Sequence, residues 1–147
     1  MRRMVRVRVH PIGGSIAQAF IERLLMFEVT LCLDEKDAQE IQERHPTLLQ
    51  SGIAVVTVSN ESDLHFEFFT KQNTIQVNGS CSIVLHDVLP SGKNPGLVNE
   101  NLDLIWNAIE HTMNGEASHY WVAESDVVDA LVRIVLHQPQ LPKTMDI

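Results

Sequence analysis

Ile53 to Val88 reads IAVVTVSNESDLHFEFFTKQNTIQVNGSCSIVLHDV, and the way its strands pair decides the fold. Ile53–Val58 is apolar and rich in β-branched residues. Leu64–Thr70 begins by alternating apolar and polar residues, Thr74–Val77 alternates again, and Ser80–Val88 is another apolar run. Each has the period and composition of a strand. Asn78-Gly79 is a hairpin signal, because both central residues of the favoured tight turn need positive φ. The runs are too close together for helical crossovers. The expectation is therefore an antiparallel meander over about 53–88.

Working outward, Met4–His10 alternates Val5, Val7 and Val9 with Arg6 and Arg8, which predicts a strand with one dry and one wet face. Pro11-Ile12-Gly13-Gly14 breaks it. Ser15 is placed to cap a helix running to Met26, with Ile16, Ala17, Phe20, Ile21, Leu24 and Leu25 on one face. Phe27–Leu33 reads as a strand and Asp34–Glu43 as a polar helix, with Pro46 disfavouring helix at His45. Pro90–Gly96 is a loop on composition. Helices follow over Val98–Met113 and Asp126–His137, with His119–Val122 as a short extended piece and a frayed tail after Pro139 and Pro142. The fold expected is α+β in a single domain over 1–147. Its antiparallel sheet comprises the meander plus the N-terminal strand, with amphipathic helices mainly on one face.

The chain has 147 residues, 44% of them hydrophobic and 20% charged, enough to bury one core without disulfides or metals. Its two cysteines, Cys32 and Cys81, lie inside apolar strand-like stretches, as small buried hydrophobes do. No apolar run reaches the ~18–20 residues needed to cross a bilayer. The N-terminus mixes arginine into its apolar positions and so lacks the continuous core of a signal peptide. A soluble, cytoplasmic protein is expected, with no membrane partner.

The net charge of −8 is unevenly spread. Arg2, Arg3, Arg6 and Arg8 fall in the first eight positions, leaving seven basic against nineteen acidic residues, −12, in the rest. A body so acidic repels phosphate backbones, so nucleic acid is not an expected partner. The arginines of the first strand read as solubilising charges on an edge strand, or as contacts to a protein partner or a second copy. Phe66 and Phe68 share one strand face, which sends Phe69 to the other. Arg6, Arg8 and Phe69 are therefore the candidate interface residues.

No HExxH, GxSxG or P-loop pattern is present, and none of the seven histidines pairs at i, i+4. No catalytic residue, metal site or cofactor is assigned from these patterns. His86-Asp87, at a strand end, is the best local polar pair. By elimination the leading expectation is a non-catalytic accessory or regulatory protein, adaptor-, chaperone- or immunity-like, that binds another protein or forms a homo-oligomer.

The alternative rests on Pro11-Ile12-Gly13-Gly14-Ser15-Ile16-Ala17, between a strand and a helix, with Asp34 twenty residues after Gly14 at the end of a second strand. Val98-Asn99 opens a helix, and Trp121-Val122-Ala123-Glu124-Ser125-Asp126-Val127-Val128-Asp129-Ala130 runs into another. Together these pieces, about a third of the chain, resemble the extended short-chain dehydrogenases. The resemblance implies an α/β Rossmann-like sheet and a degenerate nucleotide- or dinucleotide-binding domain. Gly13 and Gly14 would lie at the phosphates and Asp34 at a ribose, with His86 and Asp87 as further ligand-binding candidates. The sequence departs from the family where Pro11 and Ala17 replace the outer glycines. Tyr120, the only tyrosine, is followed four residues later by Glu124 rather than by lysine. Arg6 and Arg8 would also be costly on a strand buried on both faces.

Overall fold

A computed structural model describes residues 4–85, 88–89 and 122–146. Its centre is β1 (Val5–His10), which is hydrogen-bonded on both sides. On one side lies β2 (Val29–Leu33), parallel, followed by β3 (Val55–Val58), parallel again. On the other side lies β4 (Leu64–Phe69), also parallel to β1. β5 (Thr74–Val77) and β6 (Cys81–Val84) then continue antiparallel, and β9 (Thr144–Asp146) closes that edge parallel to β6. The seven-stranded order is β3-β2-β1-β4-β5-β6-β9. Two-residue strands β7 (Val88–Leu89) and β8 (Val122–Ala123) pair separately.

The sheet is thus mixed, which corrects the antiparallel expectation. The 53–58 segment does not join a meander but lies parallel beside β2. The antiparallel pairing expected over 53–88 is present only from 64 to 84. The first strand is not an edge, and the C-terminal tail is a strand rather than frayed. The Asn78-Gly79 turn does carry the two positive φ values, 56° and 70°, that its sequence demands.

Parallel neighbours need crossovers, and helices supply them between β1 and β2 and between β2 and β3. α1 (Ser15–Leu24) joins β1 to β2, and α2 (Glu35–Arg44) with the short α3 (Pro46–Gln50) joins β2 to β3. α4 (Glu124–His137) packs beside α1, tied by the Arg23–Asp129 ion pair. The face they cover is the dry one. Val7, Val9, Leu31, Leu33, Phe66, Phe68, Ile75, Val77, Cys81 and Ile83 are all buried. Phe20 of α1 meets the Phe66 ring edge-on at 4.8 Å and Phe68 at 6.4 Å, a geometry that adds to area burial. The helix predicted over 98–113 and the loop at 90–96 lie outside the described residues.

The opposite face carries the alternate residues, among them Arg6, Arg8, His65, Glu67, Phe69, Gln76 and Ser82, all half-buried. β1 can therefore be central and still hold two arginines, because only one of its faces is apolar. Between β3 and β4 there is no helix, only Ser59–Asp63. That link must cross three strand spacings, about 14 Å, a distance within reach of its five residues without a helix. The arginines hold it. Arg8 Nη1 donates to the Ser59 carbonyl at 2.8 Å and Arg6 Nη2 to Ser59 Oγ at 3.0 Å. Asp63 accepts from the Arg6 amide at 2.9 Å and its own amide donates back to the Arg6 carbonyl at 2.8 Å.

The two faces differ measurably. Phe66→Ala should cost about 3–5 kcal/mol of unfolding free energy. Phe69→Ala should cost about half that or less, since a half-buried ring loses less area. Chemical denaturation of the two variants compares them directly, and equal costs would contradict the assignment of faces.

Candidate functional site

The carboxyl ends of β1 and β2 open onto the segment His10–Ser15 and the start of α2. Gly14 is the N-cap of α1, with φ −75° and ψ 159°, and its carbonyl accepts the first helical bond from the Gln18 amide at 2.9 Å. The Gln18 side chain reaches back to donate to the Gly13 carbonyl, also at 2.9 Å. Ser15 is consequently not the cap but the first helical residue. Its hydroxyl turns inward to the carboxylate of Glu124, 2.8 and 2.9 Å from the two oxygens. Glu124 is buried and opens α4, where the positive end of a helix dipole favours a carboxylate. Ala17 is buried on the inner face of α1. A Cβ built on Gly13 would meet nothing within 4 Å, so packing does not require a glycine there.

Asp34 is the N-cap of α2, yet its side chain makes no capping bond. It accepts instead from Arg8 Nη2 at 2.7 Å. The Arg8 guanidinium, and to a lesser extent His10, hold the Asp34 carboxyl below its usual value against a small opposing effect of desolvation. One arginine thus bonds both the end of β2 and the link after β3. His10, Asp34 and Asp37 each bring a ligand-type atom within 4.8 Å of the others. Among the described residues this is the group with the donor set for a cation, though Arg8 already neutralises one of its carboxylates. A crevice of ≈ 520 Å³ lies alongside, walled by His10–Gly13 on one side and by Lys36, Asp37, Gln39, Glu40 and Glu43 of α2 on the other.

The structure brings Gly13, Gly14 and Asp34 to the same edge of the sheet, at the ends of adjacent strands. His86 and Asp87 lie outside the described residues. Arg6 and Arg8 serve the interior of the sheet face rather than an edge. Arg6 stands beside the buried Cys32, whose sulfur holds the guanidinium above its ordinary value. Phe69 is on the half-open face, as the two-residue period requires, but its strand is flanked on both sides by others. Sequence reasoning missed Glu124, which opens an amphipathic helix and carries no motif, and Ser59, which looked like ordinary loop. Both cysteines are free and buried, and burial raises the Cys81 thiol.

The chain matches no family model, no curated protein and no solved structure.

Because its folded pKa is depressed, Asp34 contributes stability above its unfolded value of about 3.9, and that contribution disappears as pH falls below it. Urea unfolding of the wild type and Asp34→Asn should therefore differ at pH 7, and the gap should narrow as pH falls below about 4 toward the depressed folded value. A gap that persists or widens in acid would show that the Arg8 contact is not the source.

Proposed function

We propose that this protein is a nucleotide-binding domain that takes its ligand at the carboxyl edge of the parallel strands, around Gly13 and Gly14. The observation that carries the reading is the strand order. Strands β3-β2-β1-β4 run parallel, with α1 and α2 as crossovers, in the order with which doubly wound dinucleotide-binding sheets begin. In such sheets the chain leaves β1 in one direction and later returns on its other side, and ligands bind in the crevice outside that switch point. Here the switch lies between β1 and β4, and the glycine turn follows β1 directly.

Four local features support it. The amino end of α1 is a ten-residue helix whose first-turn amides favour an anion. Gly13 leaves its surroundings open to a ligand approaching the backbone. Asp34 keeps one carboxylate oxygen outside its Arg8 bond, at the place where a ribose-binding acid stands in the dehydrogenases that these segments resemble. Lys36, on the crevice wall, offers a cation to a phosphate. No redox or transfer chemistry is assigned, since the lysine that the family pairs with tyrosine has no counterpart after Tyr120. We prefer this reading to the accessory-protein expectation, which rested on elimination: a compact acidic domain, no enzymatic motif and one segregated basic strand.

Thermal melts with ADP, NAD and NADP test the proposal. A ligand bound only by the folded state at a hundredfold excess over its Kd adds about 2.7 kcal/mol, which raises Tm by several degrees in a domain of this size. Gly13→Val should abolish the shift and leave the unliganded Tm unchanged, because the added side chain enters open space. No shift with any of the three at millimolar concentration, or an equal shift in Gly13→Val, would contradict it.

A further inference from the structure

We infer that two copies of this chain associate through β3, joining their sheets edge to edge by antiparallel pairing about a twofold axis. β3 is an outer strand of the sheet, bonded only to β2 among the described residues. The phase of its hydrogen bonds is fixed by one contact, the Ser59 amide donating to the Leu33 carbonyl at 3.1 Å. In a strand, the amide and carbonyl of each residue point to the same side and successive residues alternate. Val55, Thr57 and Ser59 therefore turn their backbone groups toward β2. Those of Val56 and Val58 point outward, with no partner among the described residues.

An outward row of amides and carbonyls is recognised by another β-strand. Natural edges are guarded by charge, proline or a bulge, and IAVVTV at 53–58 has no charge and no proline. The side chains agree with the backbone. Val55 and Val58 are 44% and 59% exposed, and the other large exposed hydrophobics among the described residues are Met26, Ile53 and Leu136. Those three line one hollow at the amino end of β2, where Ile53 leads into β3. Of these exposed residues, Val55 and Val58 lie on the open strand itself and Ile53 two residues before it.

The partner is a second copy because the edge is complementary to itself. An antiparallel twofold pairing that uses the outward groups sets Val56 opposite Val58 of the other copy, twice, with four backbone hydrogen bonds. Thr57 then meets its own equivalent on the axis, in the close pair without hydrogen bonds. Opposed residues share a face, so the apolar Val56 and Val58 cover one another and both helical layers lie on the same side. Such a contact is isologous and closes as a dimer. A four-residue strand alone is small beside the about 1,000 Å² of a stable interface, and α2, which lies against β2 and β3, supplies the adjoining surface.

The close Thr57 pair gives the decisive test, since Cα atoms about 4.5 Å apart in that pair accept a disulfide. Thr57→Cys should form a covalent dimer under mild oxidation, whereas Val55→Cys, which faces Ser59 of the other copy, should not. The native cysteines are buried and do not interfere. Sedimentation of the wild type across a dilution series should show the mass rising from 16.6 kDa to twice that value. Val58→Lys should hold it at the monomer with Tm unchanged, and Val55→Lys gives the same readout if Val58→Lys fails to fold. Thr144→Lys, on the opposite edge strand, should leave the dimer intact. A monomer at every concentration, a dimer that survives the lysines on β3, or one lost only with Thr144→Lys would overturn the inference. None of these readouts depends on nucleotide.

Discussion

The short link from β3 to β4 has to cross β2 and β1, and the guanidinium groups of Arg6 and Arg8 hold it there. Without a helix to occupy the distance, the link crosses the sheet as irregular chain with bends at Asn60 and Asp63. Its Ser59 carbonyl would face the sheet without a hydrogen-bond donor, at the cost that attends any partly buried polar group. Arg8 satisfies that carbonyl and the Asp34 carboxylate together, as a guanidinium with several donors in a fixed fork can. Arg6 bonds the Ser59 hydroxyl. The same two residues thus fasten the connection that puts β4 beside β1 and the end of β2 beside the glycine turn.

Two consequences follow for the architecture. The face of β1 that carries the arginines remains half-polar, so the apolar core of the described residues lies mainly between the other face and the helices α1, α2 and α4, with Cys32 buried on the arginine side. Placing β4 next to β1 also separates the chain's outward path, through β2 and β3, from its return. The carboxyl ends of β1 and β2 then meet the helix N-termini at one edge of the sheet, and the proposed binding crevice is a product of that division. Beyond β4 the sheet turns antiparallel, because Asn73, Asn78 and Gly79 supply the positive φ values that short connections need. The buried Glu124 joins the start of α4 to the start of α1, so the first helical turn is anchored from behind.

Much of the local structure was legible in the sequence, and the pairing was not. Periodicity located β1, β4, β5, β6, α1 and α4 to within a few residues, since one buried face imposes its period on the side chains. Phe69 was read correctly as facing away from Phe66 and Phe68 for the same reason. The spacing from Val58 to Leu64 misled. A gap that short reads as a hairpin, but an extended chain can cover the same distance across two strands when something pins it. Alternating arginines likewise read as an edge, whereas a central strand with one polar face has the same pattern. Of the site, Gly13, Gly14 and Asp34 were legible as a turn and an acid at the expected interval. The contacts of Arg8 with Ser59 and of Ser15 with Glu124 join residues 51 and 109 positions apart and leave no local trace.

The central claim is that β1 lies between β2 and β4, all three parallel, with β3 outside β2. Backbone nuclear Overhauser effects in solution address it directly. Cross-strand contacts are expected from the Val7 region to both Leu31 and Leu64, and from Leu31 to Val56, with none between β3 and β4. Close α-proton contacts between 55–58 and 64–69, the mark of an antiparallel hairpin, would contradict it.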